Sequence, residues 1–185
     1  MPSILELVMG KSQYKIQFGG LSFGEHQFEF EVNDKFFEQF SESEITSANV
    51  LVKANLVKQN TIMHVLFTFD GFVKLNCDRC LVDYNCPVSG NEKLIVKHGN
   101  PDESTDEMIV LKEGLEEIDF TQYLYEYIEL ALPYRRVPCE DEELDIEVEC
   151  DEETLAKFNE LKIEEEKTET DPKWDKLKNI KFNNN

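Results

Sequence analysis

Met63-His64-Val65-Leu66-Phe67-Thr68-Phe69-Asp70-Gly71-Phe72-Val73-Lys74-Leu75-Asn76 runs directly into Cys77-Asp78-Arg79-Cys80, and the fold turns on this stretch. Met63, Val65, Phe67, Phe69, Gly71, Val73 and Leu75 take every second position, so all of them fall on one face of an extended chain. The alternation predicts a long half-buried strand over 61–76, with Gly71 as a bulge or bend midway. The strand delivers the chain to a Cys-x-x-Cys step. A tight turn there lets both sulfurs point to one side, which is half of a tetrahedral zinc site, half of a redox pair, or two packed cysteines without chemistry.

Working outward, Val50, Val52, Ala54 and Leu56 alternate before a turn at Gln59-Asn60, and Val82, Tyr84, Cys86 and Val88 alternate after Cys80. Leu94 to Val96 continues that third strand past an irregularity at Gly90-Asn91. The pattern is an antiparallel meander with strands near 47–57, 61–76 and 81–97, and the cysteine step is its second corner. Farther out, Ile4 to Val8 and Tyr14 to Phe18 read as short strands, with Gly19-Gly20 ending the second. Phe28, Phe30 and Val32 alternate with Gln27, Glu29 and Glu31. Asn33 then offers a cap to a short helix carrying Phe36, Phe37 and Phe40 on one side. These aromatics suit a core better than a base-stacking platform, because no Lys or Arg is interleaved with them.

On the C-terminal side, His98 to Glu107 reads as a polar loop and Met108 to Leu111 as a strand returning to the sheet. Asp119 caps the best helix, over 119–131, with Gln122 completing a capping box. Phe120, Tyr123, Leu124, Tyr127, Ile128 and Ala131 recur at helical spacing until Pro133. Acids dominate Glu140 to Glu153, which predicts a solvated loop, and Thr154 to Leu161 suits a short helix with Leu155 and Phe158 inward. The expected architecture is α+β: a twisted antiparallel β-meander, with a barrel as one way of closing it, one main packing helix, and a mobile acidic and C-terminal region. Residues 1–161 form one domain. Residues 162–185 are a Glu-rich linker and a short basic helix or tail.

The chain has 185 residues, 41% of them apolar, with 13 Phe and 6 Tyr, which suffices for one real core. No apolar run approaches the ~20 residues of a membrane span, and Met1-Pro2-Ser3 lacks a basic start. A cytoplasmic location is therefore expected. Thiols stay reduced there, so five cysteines point to metal, redox chemistry or packing rather than a disulfide framework. The formal charge of −20 repels phosphate backbones at a distance. That restricts nucleic-acid contact to a local basic patch and suits a basic protein partner.

Cys77 and Cys80, with Cys139 and Cys150 as the second pair, are the candidate ligands of a structural zinc ion. Cys139 and Cys150 are separated by ten residues, wider than the usual spacing of about two to four. A long loop still closes, because closure entropy rises slowly with length. Arg79, Arg135 and Arg136 could offset the surplus negative charge of four thiolates. A redox Cys-x-x-Cys ordinarily sits at a helix N-terminus, whereas this one lies between strands. A nucleophilic cysteine would want a histidine partner, and His26, His64 and His98 are scattered. Cys86, on the inward face of its strand, reads as core. No phosphate loop, paired catalytic acids or nucleophile elbow appears, so neither an enzymatic activity nor a small-molecule substrate is expected.

Cys77-Asp78-Arg79-Cys80-Leu81 after a long strand, an acidic region, and Leu130-Ala131-Leu132-Pro133 leading toward Cys139 together resemble the YceD-like family. The ending Asp171-Pro172-Lys173-Trp174-Asp175-Lys176-Leu177-Lys178 resembles that family's Asp-Pro-Arg/Lys-Trp-x-x-Leu tail. The second cysteine pair departs from the family's more compact spacing. The family is named for accumulation of large-subunit ribosomal RNA, and its bacterial genes commonly neighbour one for a small zinc-binding ribosomal protein. The resemblance therefore implies a non-enzymatic ribosome biogenesis factor acting through a large-subunit ribosomal protein, the precursor particle, or ribosomal RNA at a local contact. Candidate contact residues are Arg79, Arg135, Arg136, Lys173, Trp174, Lys176 and Lys178. For Trp174 and Leu177, docking on the body is an equal reading. The alternatives are an acidic zinc-stabilised adaptor with no ribosomal role, and a thiol redox enzyme, which would need a low-pKa thiol at Cys77 or Cys80.

Overall fold

The computed structural model describes residues 14–138 and 148–161. The strand expected over Ile4 to Val8, Cys139, most of the acidic loop and all of 162–185 lie outside them. Among the described residues the strands are β1 (Lys15–Gln17), β2 (Gly24–Asn33), β3 (Ser47–Lys58), β4 (Ile62–Asn76), β5 (Asp83–His98), β6 (Met108–Leu111) and β7 (Glu117–Asp119). The helices are α1 (Asp34–Phe37), α2 (Thr121–Leu130) and α3 (Glu152–Leu161).

The meander forms because period-two patterns of similar length face one another. Strands β2 to β6 make one sheet in the order β2-β3-β4-β5-β6, and β1 pairs with β7 as a separate two-stranded ribbon. Among the described residues the sheet stays open, with β2 and β6 as edges, and no barrel closes. Every pair in it is antiparallel except β5 with β6, which runs parallel.

The long strand β4 is central. Met63, Val65, Phe67, Phe69, Val73 and Leu75 are buried, as their alternation predicts. The expected bulge at Gly71 is absent: the register runs one-to-one through Val50, Gly71 and Val88. Gly71 instead allows close strand approach, since a Cβ there would meet the Asn49 carbonyl and Val50 Cα. The irregularity expected at Gly90-Asn91 is absent too. Gly90 faces Phe69 across the ladder, and a side chain at Gly90 would collide with that ring.

The inner face of the sheet packs against α1, α2 and the β1–β7 ribbon. Phe67, fully buried, meets Phe120 edge-to-face at 5.1 Å, and Tyr14 meets Phe36 likewise at 4.7 Å. Phe40 stacks on Tyr125 at 3.9 Å. Burying rings such as Phe36, Phe67 and Phe120 contributes about 1.5–3 kcal/mol each, so this aromatic layer is a main source of stability. Cys86 sits in the same core.

Two helix starts differ from expectation. Asn33 makes no side-chain cap to α1. Asp119 ends β7 rather than capping α2. Its carboxylate accepts from the Thr121 N–H at 2.9 Å and the Thr121 hydroxyl at 2.5 Å, while Gln122 turns forward to Glu126. Burial pulls the Asp119 carboxyl upward, but these bonds and the Lys15 charge outweigh it and hold its pKa below the usual range. Among the described residues no helix is long and apolar enough to cross a membrane.

Candidate metal centre

The corner after β4 is built by the backbone. The Cys77 N–H donates to the Val82 carbonyl at 2.9 Å, and the Leu81 N–H donates to the Cys77 carbonyl at 3.0 Å. The turn reverses through Leu81, whose φ of 61° is the one positive value at a non-glycine residue among those described. Asn76 spans the turn, donating from Nδ2 to the Asp83 carboxylate at 2.6 Å. Cys77 and Cys80 are buried at 0% and 2% exposure, and neither is in a disulfide.

These two sulfurs lie in a small apolar cluster separate from the main core. Val137 completes it, and Val82, Cys150 and Leu155 pack against it. The structure therefore brings Cys150 to the Cys77–Cys80 corner, across the span that its sequence spacing made doubtful. Cys150 is disulfide-bonded, against the expectation of reduced thiols, so it offers no thiolate here. Cys139 lies outside the described residues. Among those described, no group of three or more His, Cys, Asp or Glu is arranged to hold a metal ion.

The electrostatics of the corner suit a thiolate. Burial pushes the Cys80 thiol upward. Hydrogen bonds from the backbone of Val82 and Asp151 and from the Cys77 side chain outweigh that penalty, so its pKa falls below the ordinary value. Asp151 also opens α3. Its carboxylate accepts from the Glu153 N–H at 3.1 Å and the Thr154 hydroxyl at 2.5 Å, and its carbonyl accepts from Leu155 at 3.0 Å. A helix N-terminus thus reaches Cys80 through space rather than through sequence, and its partial positive charge favours the ionised sulfur. Cys86 differs: burial raises its thiol, as fits a core cysteine.

Cys77 and Cys80 thus present two sulfurs on one tight turn, with backbone donors at Cys80, which is the chemistry of half of a four-sulfur zinc site. The described residues supply part of such a site. A four-sulfur version needs Cys139 and needs the Cys150 disulfide reduced.

The arginines are placed as struts. Arg79 sits over the Phe158 ring at 5.5 Å, tying the corner to α3. Arg136 pairs with the Glu44 carboxylate, and its backbone is bonded to Asp78 in both directions. Burial lowers the guanidinium pKa, but the Glu44 bond outweighs this and keeps it raised. Arg135 is exposed on the same segment. Lys173, Trp174, Lys176 and Lys178 lie outside the described residues. Sequence reasoning missed Asp151 as a contributor to the corner, although Asp151-Glu-Glu-Thr154 carries a helix-start signal.

The architecture is that of an α+β protein with an open meander and a buried cysteine corner clamped by the segment that follows its main helix. The model of one family, described as large ribosomal RNA subunit accumulation protein YceD, matches residues 65–181, and the chain belongs to that family. Comparisons with curated proteins and with solved structures found no significant match.

Proposed function

We propose that this chain is a non-enzymatic assembly factor for the large ribosomal subunit, supporting accumulation of its RNA through a ribosomal protein, the precursor particle or both. The family match carries this reading: it spans the long strand, the cysteine corner and the basic tail, and the family is described by accumulation of that RNA. The charge supports a protein partner over broad RNA binding, because 39 acidic side chains against 19 Lys and Arg repel a phosphate backbone. RNA contact is then local, through Arg79, Arg135 and the tail residues Lys173, Trp174, Lys176 and Lys178, in the cytoplasm. Zinc belongs to the same reading as a structural ion. Bound by Cys77, Cys80, Cys139 and Cys150, it would replace weak thiol packing by strong coordinate bonds and hold the corner, the segment around Arg136 and α3 together.

Depletion followed by sedimentation analysis tests the function. The expected result is loss of large subunits and of their RNA relative to small subunits. Deleting 171–185 is expected to weaken co-sedimentation with large-subunit precursors; unchanged co-sedimentation removes the tail from the mechanism. The acid excess alone equally favours a zinc-stabilised adaptor with no ribosomal role. A pull-down that returns a non-ribosomal partner and no large-subunit proteins would establish that second reading.

A further inference from the structure

We infer that the outer edge of β2 is a docking strand for an extended basic segment of another protein, added antiparallel or parallel as a sixth strand. On its inner side, β2 is paired along its whole length, from Gly24 opposite Lys58 to Asn33 opposite Asn49. On its outer side, no described strand pairs with it. In such a strand every second residue turns its N–H and C=O away from the neighbour, which leaves a template for another chain. The Tyr14 hydroxyl donates to the Glu31 carbonyl at 3.1 Å near the far end.

Proteins commonly blunt an edge with proline, lysine, a bulge or brevity. This edge is ten residues long, holds no proline or lysine, and keeps an unbroken register. Its charge is acidic instead. Glu25, Glu29 and Glu31 line the solvent face. Glu25 accepts from Asn55 at 2.5 Å, and Glu29 has a loose, exposed pairing with Lys53 at 3.9 Å. A second copy of this chain would bring glutamates against glutamates on a molecule of charge −20, so self-pairing is opposed. A Lys- or Arg-bearing strand is attracted. The opposite face of β2 specifies the remainder of the partner. Phe28 is only partly buried while Phe30 and Val32 are buried, so an incoming apolar side chain would complete the cover of Phe28. The partner is therefore a segment alternating basic with apolar residues, which binds by main-chain hydrogen bonds and is selected by charge.

This deepens the large-subunit reading by giving the partner's chemistry, and rests on it only for where that partner comes from. The test needs no ribosome, so its failure is separable from failure of the sedimentation experiment. The full chain is titrated with a Lys-Val-Lys-Val-Lys-Val-Lys peptide while backbone amide resonances are followed. Saturable one-to-one binding is expected, with shifts concentrated at 24–33. The same peptide N-methylated at alternate backbone nitrogens, and its Glu-for-Lys counterpart, are expected not to bind. Replacing Glu25, Glu29 and Glu31 together by Lys should weaken binding by about tenfold or more, since each exposed charge pair is modest alone. Binding that survives N-methylation, shifts centred elsewhere, or no binding at all would overturn the docking strand. Protection of the β2 amides in the free chain that disappears on deleting 1–13 or 171–185 would overturn the external partner, because a segment of this chain would then occupy the edge.

Discussion

Asp78 and Arg136 are bonded to each other twice: the Asp78 N–H donates to the Arg136 carbonyl at 2.9 Å, and the Arg136 N–H donates to the Asp78 carboxylate at 2.8 Å. This clamp fastens the segment after α2 to the cysteine corner and carries Val137 into its cluster. Asp78→Ala removes one of the two bonds and is expected to cost about 1–2 kcal/mol, because the acceptor is a charged group. Denaturant melts give the total, and amide exchange gives the location. Protection should fall at Arg136 and stay unchanged in β3 and β4; an unaltered Arg136 amide would mean that the clamp contributes nothing.

Leu81 holds a left-handed backbone with its side chain 66% exposed. A leucine in that region is strained by roughly 1–2 kcal/mol, whereas glycine adopts it freely and instead loses about 0.5–1 kcal/mol of chain entropy. Leu81→Gly is therefore expected to raise stability by about 0.5–1 kcal/mol, and Leu81→Val to lower it. Thermal melts of the two variants should move in opposite directions. A loss with glycine would show that the Leu81 side chain supplies more than its exposure suggests.

The proposed zinc makes a quantitative demand. Protein purified under reducing conditions should carry about one zinc per chain, and Cys77→Ser or Cys80→Ser should abolish it, whereas Cys86→Ser should retain it. Removing the metal with a chelator should lower the melting temperature and release α3, since Asp151 and Leu155 both lean on the cluster. Full-length protein with stoichiometry well below one, prepared without chelators, would leave the corner as packed thiols.

The meander was legible because burial on one face imposes a period of two, which β3 and β4 follow along their length and β5 follows on both sides of residues 90–92. The glycines were not legible. Gly71 and Gly90 read as punctuation along one strand, but their roles lie across strands, where the Asn49 backbone and the Phe69 ring occupy the space a side chain would need. The corner divides in the same way. Cys77 and Cys80 are local and announce themselves by spacing. Cys150 reaches that corner from far along the chain, alongside the Asp78–Arg136 clamp and the bond from the Asp151 backbone to Cys80, contacts between segments far apart in sequence.

Tyr127 sets an alkaline limit. Its ring lies in the core near Phe67, at 5.8 Å between centroids, and its hydroxyl is buried with no hydrogen-bond partner among the described residues. Burial pushes its pKa up to about 12 from an ordinary 10, with the Glu92 charge adding to the shift. The folded state thus holds the phenolic proton more tightly than the unfolded state does. The stability this contributes is complete below pH 10 and is lost as the pH climbs from about 10 to about 12. Tyr84 is raised for the same reason, chiefly burial, and adds to the trend. Tyr127→Phe removes both the titration and an unsatisfied hydroxyl, so it should gain about 1 kcal/mol at neutral pH. Its melting temperature should also fall less between pH 9 and 11, values chosen to bracket the ordinary tyrosine pKa of about 10. An equal fall in the variant would place the alkaline sensitivity elsewhere, with Tyr84→Phe as the next comparison.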